Sequence, residues 1–96
     1  AVPRVQRLCD KFGYPPTCLC THEVVTSPRF QDTIAAYASD GKAEAGAHLH
    51  PWSAPPFDAA WDGVGAARRY PSKLPADLLS RKLETLTSVI AEQTGA

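Results

Sequence analysis

His48 and His50 stand one residue apart near the middle of the chain, and Pro51 and Trp52 follow at once. In an extended segment, side chains at i and i+2 leave the same face, so the two imidazoles project together. A pair held in this way can ligate one divalent cation, zinc above all. The plainer alternative is two polar residues that close a strand and bond to backbone. Trp52, Phe57 and Trp61 lie in a proline-containing stretch and could form a wall for stacking against a sugar substrate, or could pack that stretch onto the body. Asp58 and Asp62 sit in the same stretch and read as loop-surface groups first, and His22 reads as an exposed residue at another strand end. Cys9, Cys18 and Cys20 fit no zinc-ligand spacing and read as small buried apolar residues. Unpaired thiols favour a reducing compartment such as the cytoplasm.

These groups need elements to position them. Ala43–His50 reads as a short buried strand with Glu44, Gly46, His48 and His50 on one face and Ala45, Ala47 and Leu49 on the other. Pro51 has no N–H and ends the ladder, which leaves the histidines at a strand-to-loop mouth, where parallel α/β sheets and barrels place their sites. Upstream, Val2, Val5, Leu8, Cys9 and Phe12 recur at helical spacing, and Gly13 is placed to cap that helix. Thr17–Thr21 reads as a strand covered on both faces, followed by a loop over His22–Thr26. Ser27-Pro28 starts a helix with the stripe Phe30, Ile34, Tyr37, and Asp40-Gly41 ends it. Strand, helix and strand with short connections make the right-handed crossover unit of parallel sheets. After a long loop to Leu74, Leu79, Leu83, Leu86 and Ile90 mark the core side of a last helix, with Arg81, Lys82, Glu84 and Glu92 on its wet side and Gly95 as its cap.

The 96 residues carry 10 basic and 10 acidic side chains, enough for one small domain spanning the chain. Balanced charge gives no basic stripe for nucleic acid, and Arg68-Arg69 reads as a solvated turn. No apolar run approaches the roughly 20 residues that span a bilayer, and no signal-peptide pattern opens the chain, so a membrane partner is not expected. The chain opens on Ala1 inside a helical pattern, as an interior piece of a longer protein would. Two strands alone make too small a sheet, and their open edges template another chain. Self-association, or pairing with the rest of a larger sheet, is therefore expected.

The run from Asp40 to Trp52, Asp-Gly-Lys-Ala-Glu-Ala-Gly-Ala-His-Leu-His-Pro-Trp, followed by Pro55-Pro56-Phe57, resembles the polysaccharide deacetylase family in its NodB-type branch, often labelled WalW-like. Tyr70–Pro75, Lys82–Thr87 and Phe12–Thr17 also look like that branch, so the resemblance covers nearly the whole chain. It implies an α/β fold: part of an irregular (β/α) barrel of parallel strands, incomplete in this chain. It implies metal-assisted hydrolysis of an N- or O-acetyl group on a carbohydrate. The family's cation, usually zinc, is held by one aspartate and two histidines, and His48 and His50 match the histidines, although the family's pair is usually more widely spaced. The motif carrying the metal aspartate and the general-base aspartate, and the later arginine, aspartate and histidine motifs, do not occur between Ala1 and Ala96. The catalytic residues are thus unknown here, and the chain alone is expected to be inactive. Two other readings stand beside this one. Amidohydrolase-type metal hydrolases carry His-x-His at the end of their first strand, whereas here a strand and a helix precede the pair. A barrel fragment with no activity, serving only as a structural or self-associating unit, is the non-enzymatic reading.

Overall fold

A computed structural model of the chain describes residues 2–58, 61 and 70–95. Helix α1 (Val2–Phe12) stops at Gly13, which takes φ 70°. The Tyr14 N–H donates to the Cys9 carbonyl at 3.0 Å and the Gly13 N–H to Asp10 at 3.2 Å, a closure that favours a residue without Cβ. Strand β1 (Thr17–Cys20) follows. Thr21 then caps α2 (His22–Val25), its hydroxyl accepting from the Val24 N–H at 3.3 Å. The expected loop over His22–Thr26 is therefore a helical turn, because a β-region threonine before it supplies the missing acceptor.

The Ser27-Pro28 start leads into a π-helical segment (Gln31–Ala35) and then α3 (Ala36–Ser39). The Thr33 hydroxyl donates to the Arg29 carbonyl at 2.7 Å and competes with the backbone ladder at the point where the turn widens. The expected stripe is in place: Phe30 and Ile34 are buried and Tyr37 is half-buried. Gly41, at φ 73°, ends α3 as Gly13 ends α1, with the Lys42 N–H donating to Tyr37 at 2.9 Å. Strand β2 (Glu44–Ala47) comes next, and after the long connection a 3-10 turn (Pro71–Lys73) precedes α4 (Ala76–Thr94).

β1 and β2 pair in parallel, from Thr17 opposite Glu44 to Cys20 opposite Ala47, and form a two-stranded sheet among the described residues. The fold is mixed α/β. β2 is shorter than the expected 43–50 because β1 ends where Thr21 turns the chain into α2; the last ladder bond runs from the His48 N–H to the Cys20 carbonyl, 2.9 Å. One core fills one side of this sheet: Cys20, Val25, Phe30, Ile34, Ala35, Leu86 and Ile90, with Cys18, Ala45, Leu49 and Val89 at its border. Thr17, Leu19 and Glu44 point the other way and are exposed, Leu19 by 66 %. The strand expected to be covered on both faces is covered on one: Cys18 and Cys20 face the core, and Thr17 and Leu19 face water. Leu19 lies across Gly46, where an added Cβ would meet its Cδ2 at 3.1 Å.

Two helix faces also differ from their pattern. On α1, Val5, Leu8 and Phe12 are 54–60 % exposed while Gln6 is buried. The Gln6 amide donates to the Lys42 carbonyl and to Asp10 Oδ1, each at 2.9 Å, so a hydrogen bond to the chain just past Gly41 sets the docking face. On α4 the buried residues are Leu78, Lys82, Leu86 and Ile90; Leu79 only borders a small cluster with Leu74 and Leu78, and Leu83 is exposed. The core stripe runs at a spacing of four and carries a lysine through its centre, so Lys82 is not on the wet side.

The three thiols are free, with Cys20 buried and Cys9 and Cys18 only half-buried. Burial, and secondarily the neighbouring cysteine, push the Cys18 and Cys20 thiols up in pKa. A raised folded-state value means that the stability these thiols contribute is complete below the ordinary thiol pKa and is lost as pH rises through the raised one. At neutral pH a small alkylating reagent is accordingly expected to label Cys9 and Cys18 well before Cys20, with Cys20 reacting at the rate of global unfolding. Mass spectrometry of quenched time points measures this; equal rates for all three thiols would contradict the burial of Cys20. Among the described residues, no helix is long and apolar enough to cross a membrane.

Candidate functional site

The alternation of side chains continues past the end of β2. His48 and His50 come together, with ring centroids 4.9 Å apart and planes at 85°. Trp52 then stacks on His50, with centroids 4.5 Å apart and an interplanar angle of 12°. Pro51, between the two stacked rings, is fully buried and fixes its own φ. Glu23, in the first turn of α2, brings its Oε1 to 3.8 Å from His50 Nδ1. That is an ion-pair distance once the imidazole carries a proton, and too long for a hydrogen bond. The capping of α2 by Thr21 and the end of β2 thus set Glu23, His48, His50 and Trp52 at one edge of the sheet, the carboxyl end of both strands.

Chemically this edge offers two imidazoles side by side and one carboxylate near the second. The donor set suits a borderline-soft divalent cation and falls short of the three protein ligands that a catalytic zinc takes. Among the described residues, no three of His, Cys, Asp and Glu are grouped to hold a metal ion. The Cys18 and Cys20 thiols, pushed up by burial, favour the protonated form over the thiolate a metal needs. His22 takes no part in the ring contacts of the described residues. Asp58 is half-buried, whereas Asp62, Arg68 and Arg69 lie outside the described residues.

Trp52, Phe57 and Trp61 are all partly open, at 41, 62 and 38 % exposed, but they do not stack on one another among the described residues. Trp52 belongs to the histidine cluster. Phe57 lies under the Lys82 ammonium, with Nζ 5.1 Å from the ring centroid. The Trp61 N–H donates to the Asp58 carbonyl at 3.0 Å.

Lys82 is the residue that hydrophobic periodicity misses. It is wholly buried, and Nζ donates to the carbonyls of Pro51 at 3.1 Å, Ala54 at 2.6 Å and Pro56 at 2.9 Å. Its signal in the sequence is positional: it stands four residues from both Leu78 and Leu86 on α4, in line with Ile90. No family model, curated protein or solved structure matches the chain.

Proposed function

We propose that this chain supplies the metal-holding strand end of a polysaccharide deacetylase-like hydrolase, a metal-dependent enzyme that removes N- or O-acetyl groups from a carbohydrate. The observation that carries the reading is the juxtaposition of His48 and His50 at the carboxyl end of a parallel strand, with Trp52 stacked behind them. The irregular (β/α) barrel belongs to the same proposal: β1, its crossover and β2 are one repeat of such a barrel. His48 and His50 would hold a divalent cation, zinc by preference, as two of its protein ligands. When bound, the cation supplies Lewis-acid polarisation of the acetyl carbonyl and an acidified water. In this chain Glu23 adds negative charge beside His50, and the open face of Trp52 offers an apolar plane against a sugar ring. The third ligand and the general base come from elsewhere.

Acetate release tests this division of labour. The chain alone, given zinc and acetylated chito- or xylo-oligosaccharides, is expected to release no more acetate than a metal-only blank. Clear turnover that His48→Ala abolishes would overturn it, since the chain would then hold the missing groups itself.

A second reading has its own support. The uncovered face of the sheet and the outward stripe of α1 leave Leu19, Val5, Leu8 and Phe12 open to water. The radius of gyration of 14.9 Å exceeds the about 13 Å of a compact domain of 100 residues. In this reading the chain is a structural unit that pairs with a copy of itself, or with the rest of a barrel, through its open strand edges. Sedimentation velocity at low micromolar concentration is expected to show self-association. A compact, cooperatively melting monomer would sink this reading.

A further inference from the structure

We infer that Lys82 is a positioning residue for the stacked His50–Trp52 pair, holding it through the carbonyl of the proline between them. Among the described residues the last ladder bond ends at His48, and no strand pairs with the chain from Leu49 onward. The order of residues 51–56 then depends on other contacts, and the Lys82 ammonium makes three of them, to Pro51, Ala54 and Pro56.

An ammonium is a point charge with three donors that radiate from one atom. Three carbonyls from one short segment converge on it here, which bends that segment around Nζ and closes it with the Phe57 ring. Pro51 is both held and rigid: its side chain is buried, its ring fixes φ, and its carbonyl is anchored. His50 and Trp52 leave the chain on either side of that anchored residue, and they meet at 4.5 Å with nearly parallel planes. The anchor itself is delivered by α4 from the centre of its buried stripe, between Leu78 and Leu86. The packing register of α4 and the orientation of the two rings are therefore mechanically linked. The inference rests on the deacetylase-like reading only where zinc is concerned; the ring geometry stands apart from it.

The experiment reads both. An imidazole stacked on an indole lies in its ring current, so the His50 ring protons are expected well upfield of free histidine in the native chain. In Lys82→Met, which keeps the length and apolar stem, at least half of that displacement is expected to vanish while the far-UV spectrum of α4 persists. Ile90→Val destabilises the same helix without touching residues 51–56, and should leave the His50 signals in place; a merely structural role for Lys82 would make the two variants behave alike. Zinc affinity, measured by calorimetry, is expected to fall about tenfold in Lys82→Met, as for loss of other groups that orient a ligand. Unchanged His50 signals in folded Lys82→Met overturn the inference, whatever zinc does. Displaced signals with no zinc binding even in the native chain support it and sink the metal reading instead. Should Lys82→Met not fold, Lys82→Arg decides: it keeps the charge, but its planar fork has no single atom from which three donors radiate to the three carbonyls. Displaced His50 signals in Lys82→Arg support the inference, and native ones overturn it.

Discussion

Phe30→Ala is expected to lower the unfolding free energy by about 3–5 kcal/mol, the usual cost of emptying a buried aromatic site. Phe30 is 2 % exposed and shares one cluster with Cys20 and Val25 from the first strand–helix unit and with Leu86 and Ile90 from α4. It therefore fills space that both sides of the core line, and neither side alone can collapse into the void. A domain has only about 5–15 kcal/mol in total, so this variant would stand near the edge of folding. Leu8→Ala is the informative companion. Leu8 belongs to the apolar stripe of α1 and looks equally essential in the sequence, yet it is 59 % exposed. Its loss should cost within about 0.5 kcal/mol, as at other surface positions. Urea denaturation of both variants provides the check; equal losses would mean that the α1 stripe is covered in solution.

Removal of both imidazoles is expected to abolish the heat of zinc binding. Titration calorimetry of the native chain should show one weak event, because structural zinc sites use four protein ligands and catalytic ones three. His48→Ala/His50→Ala should show none beyond dilution. Equal heats from the two proteins would remove the site. The 3.8 Å approach of Glu23 to His50 Nδ1 adds a gradation. Glu23 is exposed, so water and salt screen its charge, and Glu23→Gln should weaken the event far less than either histidine substitution does.

How far such a site can be read from residues alone depends on what kind of contact fixes each face. The glycine caps at Gly13 and Gly41, the Ser27-Pro28 start, the parallel pairing and the meeting of His48 with His50 follow from local rules of conformation and from the two-residue period of extended chain. The faces of α1 and α4 do not. Periodicity sorts residues by polarity, and it assigns Gln6 and Lys82 to water. Gln6 is buried because its amide reaches a carbonyl 36 residues away, and Lys82 because three carbonyls of a loop surround it. Both are polar groups satisfied by backbone distant in sequence; spacing along α4 can place Lys82 on the buried line, but no pattern within one helix records the carbonyls that satisfy either residue. Trp52 and Phe57 likewise each meet a specific neighbour, His50 and Lys82, that residue type alone does not record.

The parallel pairing of β1 with β2 also sets the order in which the chain can assemble. Thr17 meets Glu44 across 27 positions, whereas α4 needs only contacts within itself to begin. Closing that span costs entropy before any ladder bond repays it. The helices can thus flicker into existence first, the two strands pair next, and the meeting of Phe30, Ile34 and Ala35 with Leu86 and Ile90, which closes a longer span still, follows them. The two histidines, which follow the last ladder bond at His48, would then take their places at the strand end before α4 closes the core.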